Sequence, residues 1–199
     1  MDWGQYESTL EKSEIVNEET DTASVEALVP SFNKLSGTYS VDASSDNAEI
    51  LFEVDGLKNT KGGFGEFNVS FEVNESVESA SIIVNIDAAT INTGNKMRDE
   101  HLLEEGFFNT AKYPKITFKS DQITWSEGVY TANGELTLLA TTKPLSFDFN
   151  HLGSGTNKNK ADFEAFEGTF AFDRTEYGME EDASVGNEVT ISFYLELVK

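Results

Sequence analysis

Apolar and polar residues alternate along most of the chain from residue 37 onward, with the period of two that is typical of half-buried β-strands. In the clearest run, residues 67–73, Phe and Val alternate with Asn, Ser and Glu. Counted from Ile50, the chain contains eight long strand candidates, with turn signals such as residues 126–128 and a predicted loop at residues 153–160. The periodicity therefore predicts an all-β protein, either an antiparallel sandwich or a barrel.

One segment, residues 87–120, breaks the alternation and contains the best helix candidate. Polar residues between 92 and 95 offer side-chain oxygens that can cap a helix N-terminus. Gly106 can end the helix, and Pro114 prevents it from resuming. We therefore expect a helical insertion between two strands. The two phenylalanines directly after Gly106 suggest that the insertion borders an apolar opening.

Residues 1–36 differ from the rest because they hold eight acidic residues against two lysines and few aromatic residues. This composition favours a solvated spacer or arm, and it places the folded domain at residues 37–199. Deleting the arm is then expected to leave the thermal midpoint nearly unchanged. An alternative is an anchoring arm in which Trp3, Tyr6 and Leu10 form a short amphipathic turn.

The net charge of −22 narrows the range of partners. Phosphates of nucleic acids and anionic lipid surfaces would both be repelled, so neither is an expected partner. No run approaches the roughly 20 apolar residues that a transmembrane helix needs. The first residues show no basic and apolar signal pattern, so we expect no signal segment in this chain.

Side chains suited to catalysis or metal binding do not form a persuasive group. The chain has two histidines, His101 and His151, and no cysteine, whereas zinc sites need several nitrogen or sulfur ligands at short spacing. Acidic clusters at residues 180–182 and 42–49 do not fit the spacing of a calcium-binding EF-hand loop. The sequence shows no nucleophile–base pair and no phosphate-binding loop. We therefore expect neither an enzyme nor a metal site.

Ordered positions between residues 63 and 178 are similar to a known family. In the insertion they are Thr93, Arg98, Asp99, His101, Leu102, Phe107, Phe108, Tyr113, Pro114, Ile116, Thr117 and Phe118. Others are Gly63, Phe64 and Phe67, then residues 134–138, Thr142, Lys143 and Pro144, and finally the turn at residues 173–178. Together they resemble the YceI-like family of bacterial lipid-binding proteins, over roughly residues 35–198.

The resemblance implies an eight-stranded antiparallel lipocalin-like barrel with a helical insertion, closed over a cavity for a long-chain isoprenoid or related lipid. It also implies an extracytoplasmic location. The cavity residues expected on this basis are Phe52, Phe67, Phe71, Val84, Phe118, Leu136, Leu138, Phe147, Phe149, Phe170, Phe172 and Phe193. The lid or head-group residues are Arg98, Asp99, His101, Leu102, Phe107 and Phe108. No cofactor is expected beyond a bound isoprenoid or quinone, and a homodimer is left open.

Two alternatives remain at the level of sequence. The fifteen phenylalanines are compatible with a solidly packed barrel, which would make the protein an envelope interaction module with no small-molecule ligand.

Arg98 and Asp99 are adjacent, so on a helix they point about 100° apart. They cannot both face one substrate, and each is expected to pair elsewhere. Their first expected role is to fix the insertion to the barrel. Head-group binding is the second, and there the negative charge favours a neutral head such as a quinone over a diphosphate.

Overall fold

The computed structural model describes residues 6–16, 35–42, 47–56, 59–74, 76 and 79–199. These residues form eleven β-strands and one α-helix, together with short 3-10 turns at Ala88–Thr90 and Arg174–Tyr177. The strands are β1 Gly37–Asp42, β2 Ala48–Gly56, β3 Thr60–Phe64, β4 Phe67–Val73, β5 Ser81–Asp87, β6 Ile91–Asn92, β7 Lys115–Ser126, β8 Val129–Leu138, β9 Thr141–Thr156, β10 Asp162–Asp173 and β11 Val185–Val198. Helix α1 spans Lys96–Leu102, between β6 and β7.

The strands close into an antiparallel barrel. Its wall has eight strand positions, which we call staves. β3 and β4 act as one bent strand, and β5 and β6 act as another. The two bent strands stay paired across the bend, because Gly65 and Glu66 donate to Thr90 and Asp87 donates to the Glu66 carbonyl. Around the barrel the order is β2, β3–β4, β5–β6, β7, β8, β9, β10 and β11, and β11 pairs again with β2. This closed, lipocalin-like barrel with one helical insertion confirms the predicted fold class.

One stave of the barrel is shared by two strands. Near one end β1 fills the space between β4 and β11, whereas nearer the other end β2 lies between β3 and β11. β1 pairs with β11 only at Ser40 and Val198, as far as the structure describes these strands. The wall therefore contains a seam where β1 has ended and β2 begins, at residues 47–50 beside residues 64–67.

The predicted loop at residues 153–160 is wrong in its first half. β9 continues through Thr156, and the turn to β10 covers only residues 157–161. The register between β9 and β10 shifts between Ala165 and Phe166, where β9 carries one extra residue. Gly153 lies at this bulge with φ of 127°, a conformation that glycine adopts without strain. A glycine that signalled a loop in the sequence instead allows a bulge inside a long strand.

Part of the acidic N-terminal stretch lies against the barrel. Residues 6–16, which we call the strap, run along the outside of the seam, β11, β10 and the end of β9. Leu10 and Ile15 pack on a buried outer patch formed by Phe163, Ala165 and Tyr194. These contacts differ from the solvated arm expected from composition, because a few apolar residues among many acids suffice when the barrel offers a matching apolar patch. Residues 1–5, including Trp3, and 17–34 lie outside the described residues, and the division at residue 36 stays a prediction.

No helix among the described residues is long and apolar enough to cross a membrane.

Candidate functional site

An apolar cavity of about 470 Å³ occupies the barrel interior on the side of the insertion. Its walls are inward-facing side chains of all the staves, as the alternation along each strand requires. They include Phe52, Val54, Val69, Ile82, Val84, Phe118, Leu136, Leu138, Leu145, Phe147, Phe170, Ile191 and Phe193. The volume lies within the range of sites that hold small molecules, roughly 300–1,000 Å³. The interior is therefore not packed solid.

A group of aromatic rings forms the middle of the cavity wall. Phe147 stacks on Phe170 at a centroid distance of 4.6 Å, and it also contacts Phe118 at 5.1 Å and Phe193 at 6.0 Å. Phe147, Phe170 and Phe193 remain only half-buried although they point inward, because their other sides face the empty space of the cavity. The rings thus present a continuous apolar surface to any occupant.

The cavity floor is made by a second group of rings. Phe71 and Phe166 meet edge to face at 5.4 Å, and Phe149 lies 6.3 Å from Phe166. Below them His151 and Glu164 face each other across β9 and β10, with His151 Nε2 2.7 Å from a Glu164 carboxylate oxygen. The ring of His151 stacks on Phe166 at 4.9 Å. The floor therefore separates the apolar cavity from a largely buried polar pair.

The insertion covers the opposite end of the cavity and forms a lid, residues 93–108. Leu102, Phe107 and Phe108 line the cavity from this side. Phe108 meets Phe64 edge to face at 6.0 Å, which closes the lid on the bend between β3 and β4. His101 contacts the Phe107 ring at 5.0 Å, and its Nδ1 lies 3.2 Å from Glu104. The apolar opening expected from the paired phenylalanines lies here.

A hydrogen-bond network around Thr93 holds the helix of the lid. Asn95 caps α1 by accepting from the Arg98 backbone N–H at 3.2 Å. The Asp99 carboxylate accepts from the Thr93 N–H at 2.8 Å and from its hydroxyl at 2.5 Å. Arg98 donates from Nε to the same hydroxyl at 2.8 Å and from Nη2 to the Thr93 carbonyl at 2.9 Å. Arg98 and Asp99 thus share one buried partner, Thr93, within the insertion.

The connection between β10 and β11 forms the facing rim of the opening. Arg174 is buried and donates to the carbonyls of Glu180 at 2.7 Å and Gly186 at 2.9 Å. Gly178, with φ of 96°, ends the turn that begins at Asp173. The backbone of Glu180 in turn donates to the Gly106 carbonyl of the lid at 2.9 Å. Arg174 therefore ties its turn to the segment that follows, and it also shapes one side of the opening.

The polar atoms at the opening carry both signs of charge. Arg98, His101, Asp182 and Ser184 are the main polar side chains that reach the cavity from the rim. Ser184 donates to Asp182 from its backbone at 2.7 Å and from its hydroxyl at 2.5 Å, and these bonds lower the pKa of Asp182. Asp182 is therefore a stable anion beside the opening, which opposes binding of an anionic head group.

The structure brings most of the predicted site residues together. Among the twelve predicted cavity residues, all except Phe67 line the cavity, and among the six lid residues all except Asp99 do so. Phe67 is buried but comes directly after the bend at Gly65 and Glu66, so its ring packs beside the seam. Asp99 points back to Thr93. Whether any of these residues binds a ligand stays a prediction.

Sequence reasoning missed two groups of lining residues. One group, exemplified by Ile50, Val54 and Leu145, already showed the inward period and could have been included. The other comprises Met179, Asp182, Ser184 and Val185 on the connection between β10 and β11. No periodic signal marks these residues, because an irregular loop reaches the cavity only through its tertiary position.

Across the described residues, no group of three or more His, Cys, Asp or Glu side chains is arranged to hold a metal ion.

The fold and the cavity define a lipocalin-like barrel with an apolar interior and a helical lid, and comparison with known proteins identifies its family. The family profile of the YceI-like domain matches residues 31–197, so the chain belongs to the YceI-like family. A UPF0312 protein of Pectobacterium atrosepticum is 31% identical over 151 residues, which cover 73% of this chain and 78% of that protein. A UPF0312 protein of Photorhabdus laumondii is 31% identical over 144 residues, covering 69% of this chain and 75% of that protein.

Two solved structures share the fold at lower sequence identity. Burkholderia cenocepacia BcnA superposes with a TM-score of 0.69 at 20% identity, over 80% of this chain and 99% of that chain. A polyisoprenoid-binding domain from Saccharophagus degradans superposes with a TM-score of 0.62 at 12% identity, over 82% of this chain and 99% of that chain. At these identities the likeness establishes the barrel architecture alone.

Proposed function

We propose that this protein binds a long-chain isoprenoid or related amphiphilic lipid in the barrel cavity, and that it carries or stores the lipid without catalysing a reaction on it. The observation that carries the proposal is the cavity itself, which is apolar, of ligand size and roofed by the lid. Membership of the YceI-like family supports it, as does the structural likeness to a polyisoprenoid-binding domain.

Burial of a lipid chain provides enough free energy without a strong polar anchor. Transfer of about 20 methylenes from water to an apolar site yields roughly 16 kcal/mol, at about 0.8 kcal/mol each, before the entropic costs of binding. The aromatic wall around Phe147 and the floor at Phe71 and Phe166 supply the apolar surroundings. Affinity is therefore expected to follow chain length more than head-group chemistry.

The opening favours a neutral or weakly polar head group. Arg98 and His101 offer N–H donors, but Asp182 is a nearby anion and the protein as a whole carries −22. A quinone head can accept a hydrogen bond without adding negative charge, whereas a diphosphate would be repelled. We expect a ubiquinone to bind with little dependence on salt. A prenyl diphosphate should bind more weakly at low ionic strength, where charge repulsion is least screened.

The alternative of a packed barrel that acts only through its acidic surface has less support, because the half-buried rings of the cavity wall have room for a ligand. An extracytoplasmic location is proposed from the family resemblance. A homodimer is also proposed, and sedimentation would test it.

The test combines mass spectrometry of an organic extract of the purified protein with a matched pair of variants. Val84 lines the cavity, whereas its neighbour Ile83 points outward and is 40% exposed. Val84→Trp should place an indole where the lipid lies, so lipid is lost while lipid-stripped protein melts at nearly the same temperature. Ile83→Trp adds the same ring on the outside and should leave both quantities unchanged.

Two outcomes would contradict the proposal. A wild-type protein that neither extracts with lipid nor takes up a ubiquinone would favour the packed interaction module. A Val84→Trp variant that loses about 1–3 kcal/mol of stability by overpacking, with no lipid in the wild type, would point the same way.

A further inference from the structure

The outer surface of the barrel carries a buried carboxylate that the lipid site does not use. Glu196 lies on β11 between the inward-facing Leu195 and Leu197, so its side chain points out of the barrel, yet it is only 2% exposed. The carboxylate accepts hydrogen bonds from Tyr194 at 2.9 Å and from Asn47 at 2.6 Å. It is buried because the strap, residues 6–16, crosses over it.

Ser13 of the strap completes the environment of this carboxylate. Its backbone N–H donates to one oxygen of Glu196 at 2.8 Å, and its hydroxyl donates to the other at 2.9 Å. Lys12 lies 4.0 Å over the Tyr194 ring and 3.7 Å from Glu167. Burial and the adjacent Glu196 carboxylate raise the pKa of Tyr194, so its hydroxyl remains a donor into alkaline solution. A carboxylate is costly to bury, and here the strap supplies half of the hydrogen bonds that stabilise it.

The strap crosses the barrel wall at the seam. Its Ser8 donates to Glu49 at the start of β2, and its Val16 donates to the Ser154 carbonyl at the end of β9. Between these points it passes Asn47 and Glu196, where the wall changes from β1 to β2. The strap therefore crosses the seam from outside, with Tyr6 beside Gly63 of β3 on one side and Ser13 bonded to Glu196 of β11 on the other.

A second cavity, of about 550 Å³, lies between the strap and the seam. Strap residues such as Tyr6, Thr9 and Leu10 form its outer side. On the inner side Ile50 and Phe64 line this cavity and also line the main cavity. Ile50 and Phe64 thus border both cavities at the place where the pairing of β2 with β3 ends, at Leu51 and Gly63.

The strap is attached far less firmly than the barrel strands. It forms one backbone bridge, at Val16, and its main apolar contacts are the half-buried Leu10 and Ile15, in the part of the chain that the structure describes. Segments with few buried contacts open locally, without unfolding of the whole domain. Among the described residues, lifting of the strap would leave Ile50 and Phe64 between solvent and the main cavity at this place.

We propose that the seam is a lateral entrance to the lipid cavity and that the strap is its closure. This inference rests on the lipid binding proposed above and adds a route distinct from the opening under the lid. Movement of the strap would then set the rate at which lipid enters and leaves, without changing how much lipid is bound at equilibrium.

The test locks the strap in place and releases it in the same molecule. Because the chain has no cysteine, Ser13→Cys with Asn47→Cys introduces a single thiol pair where the two side chains now meet, at 3.3 Å between Oγ and Nδ2. The protein is loaded with pyrene-labelled farnesol, and transfer to phosphatidylcholine vesicles is followed in the oxidised and the reduced state. Thiol counting verifies the link, and oxidation should slow transfer at least about tenfold, with full recovery on reduction.

A second variant opens the strap instead and does not depend on disulfide formation. Lys12→Ala with Ser13→Ala removes the contacts to Tyr194 and Glu167 and one bond to Glu196. Transfer should become faster, and hydrogen exchange of residues 6–16 should rise. The control, Lys61→Ala with Ser146→Ala, removes an exposed ion pair and an exposed hydrogen bond away from the strap and should change neither.

The possible results separate the two proposals. Equal transfer rates in the oxidised and reduced states, or a strap that exchanges faster while transfer is unchanged, would overturn the lateral entrance and leave lipid binding intact. A wild-type protein that retains no pyrene-labelled farnesol would overturn both.

Discussion

The two ends of the barrel interior are built from similar residues but differ in how those residues meet. At one end, which we call the filled end, Tyr39, Val73, Ile123, Tyr130 and Ala132 are at most 7% exposed, and none of them lines either cavity. At the other, the lid end, Phe147, Phe170, Ile191 and Phe193 point inward with the same alternation but face open space. Apolar inward residues are therefore compatible with either a core or a cavity.

The two ends also differ in where their buried polar side chains lie. The filled end contains the His151–Glu164 pair, whose side chains are only 8% and 17% exposed. The lid end places its polar network at the rim, where Arg98 and Asp99 hold Thr93. One network lies within the packed part of the barrel, whereas the other fixes a segment that covers the opening. From this comparison we expect the filled end to supply most of the stability, and we propose that the lid end holds the lipid.

The largest expected effect tests packing at the two ends with the same substitution. Ile123→Ala at the filled end should cost about 2–5 kcal/mol, because a fully buried side chain leaves a void. Ile191→Ala at the lid end should cost roughly 1 kcal/mol in lipid-stripped protein, because that side chain already lacks partners on its cavity side. Urea unfolding of both variants measures the difference, and equal costs would mean that the lid end is packed as tightly as the filled end.

A middle-sized effect is expected at the buried polar pair. Glu164→Leu should cost about 1–3 kcal/mol because His151 loses its carboxylate partner in a water-poor place. Adding His151→Leu should restore part of the loss, since replacing both members of a buried pair is often tolerated. Glu53→Leu is the control, because it removes an exposed ion pair with Lys61 and should cost less than about 1 kcal/mol. Strictly additive single and double variants would show that His151 and Glu164 are not coupled.

The smallest effect on global stability is expected at the lid. Asp99→Ala removes both hydrogen bonds that Thr93 donates to the carboxylate, so the lid should open locally before the barrel unfolds. Hydrogen exchange of residues 93–108 should rise about tenfold, which corresponds to about 1.4 kcal/mol, while global unfolding changes by less than about 1 kcal/mol. Asp99→Asn keeps one acceptor oxygen, so its exchange rate over residues 93–108 should lie between those of the wild type and Asp99→Ala. Unchanged exchange together with loss of bound lipid would instead assign Asp99 to the head group.

Much of the fold could be predicted from local patterns. The alternation in residues 67–73 placed Val69 and Phe71 on the inner face, and Asn95 and Gly178 occupy the cap positions that their residue types favour. Local pattern was less informative on β10, where Phe163 and Phe166 have similar neighbours in sequence. Phe163 points outward under the strap, whereas Phe166 forms the cavity floor. Both faces of that strand are apolar, so the pattern could not distinguish inside from outside.

The sequence by itself determined the strand series, the helical insertion and the family, because each depends on neighbouring residues or on ordered motifs. Only the tertiary structure decided that the inward residues leave a cavity at one end, because that depends on how side chains from eight staves meet. The same holds for Ser13 and Glu196, which are 183 residues apart, and for the extra residue of β9 that aligns His151 with Phe166. Such contacts arise from barrel closure, and no local period encodes them.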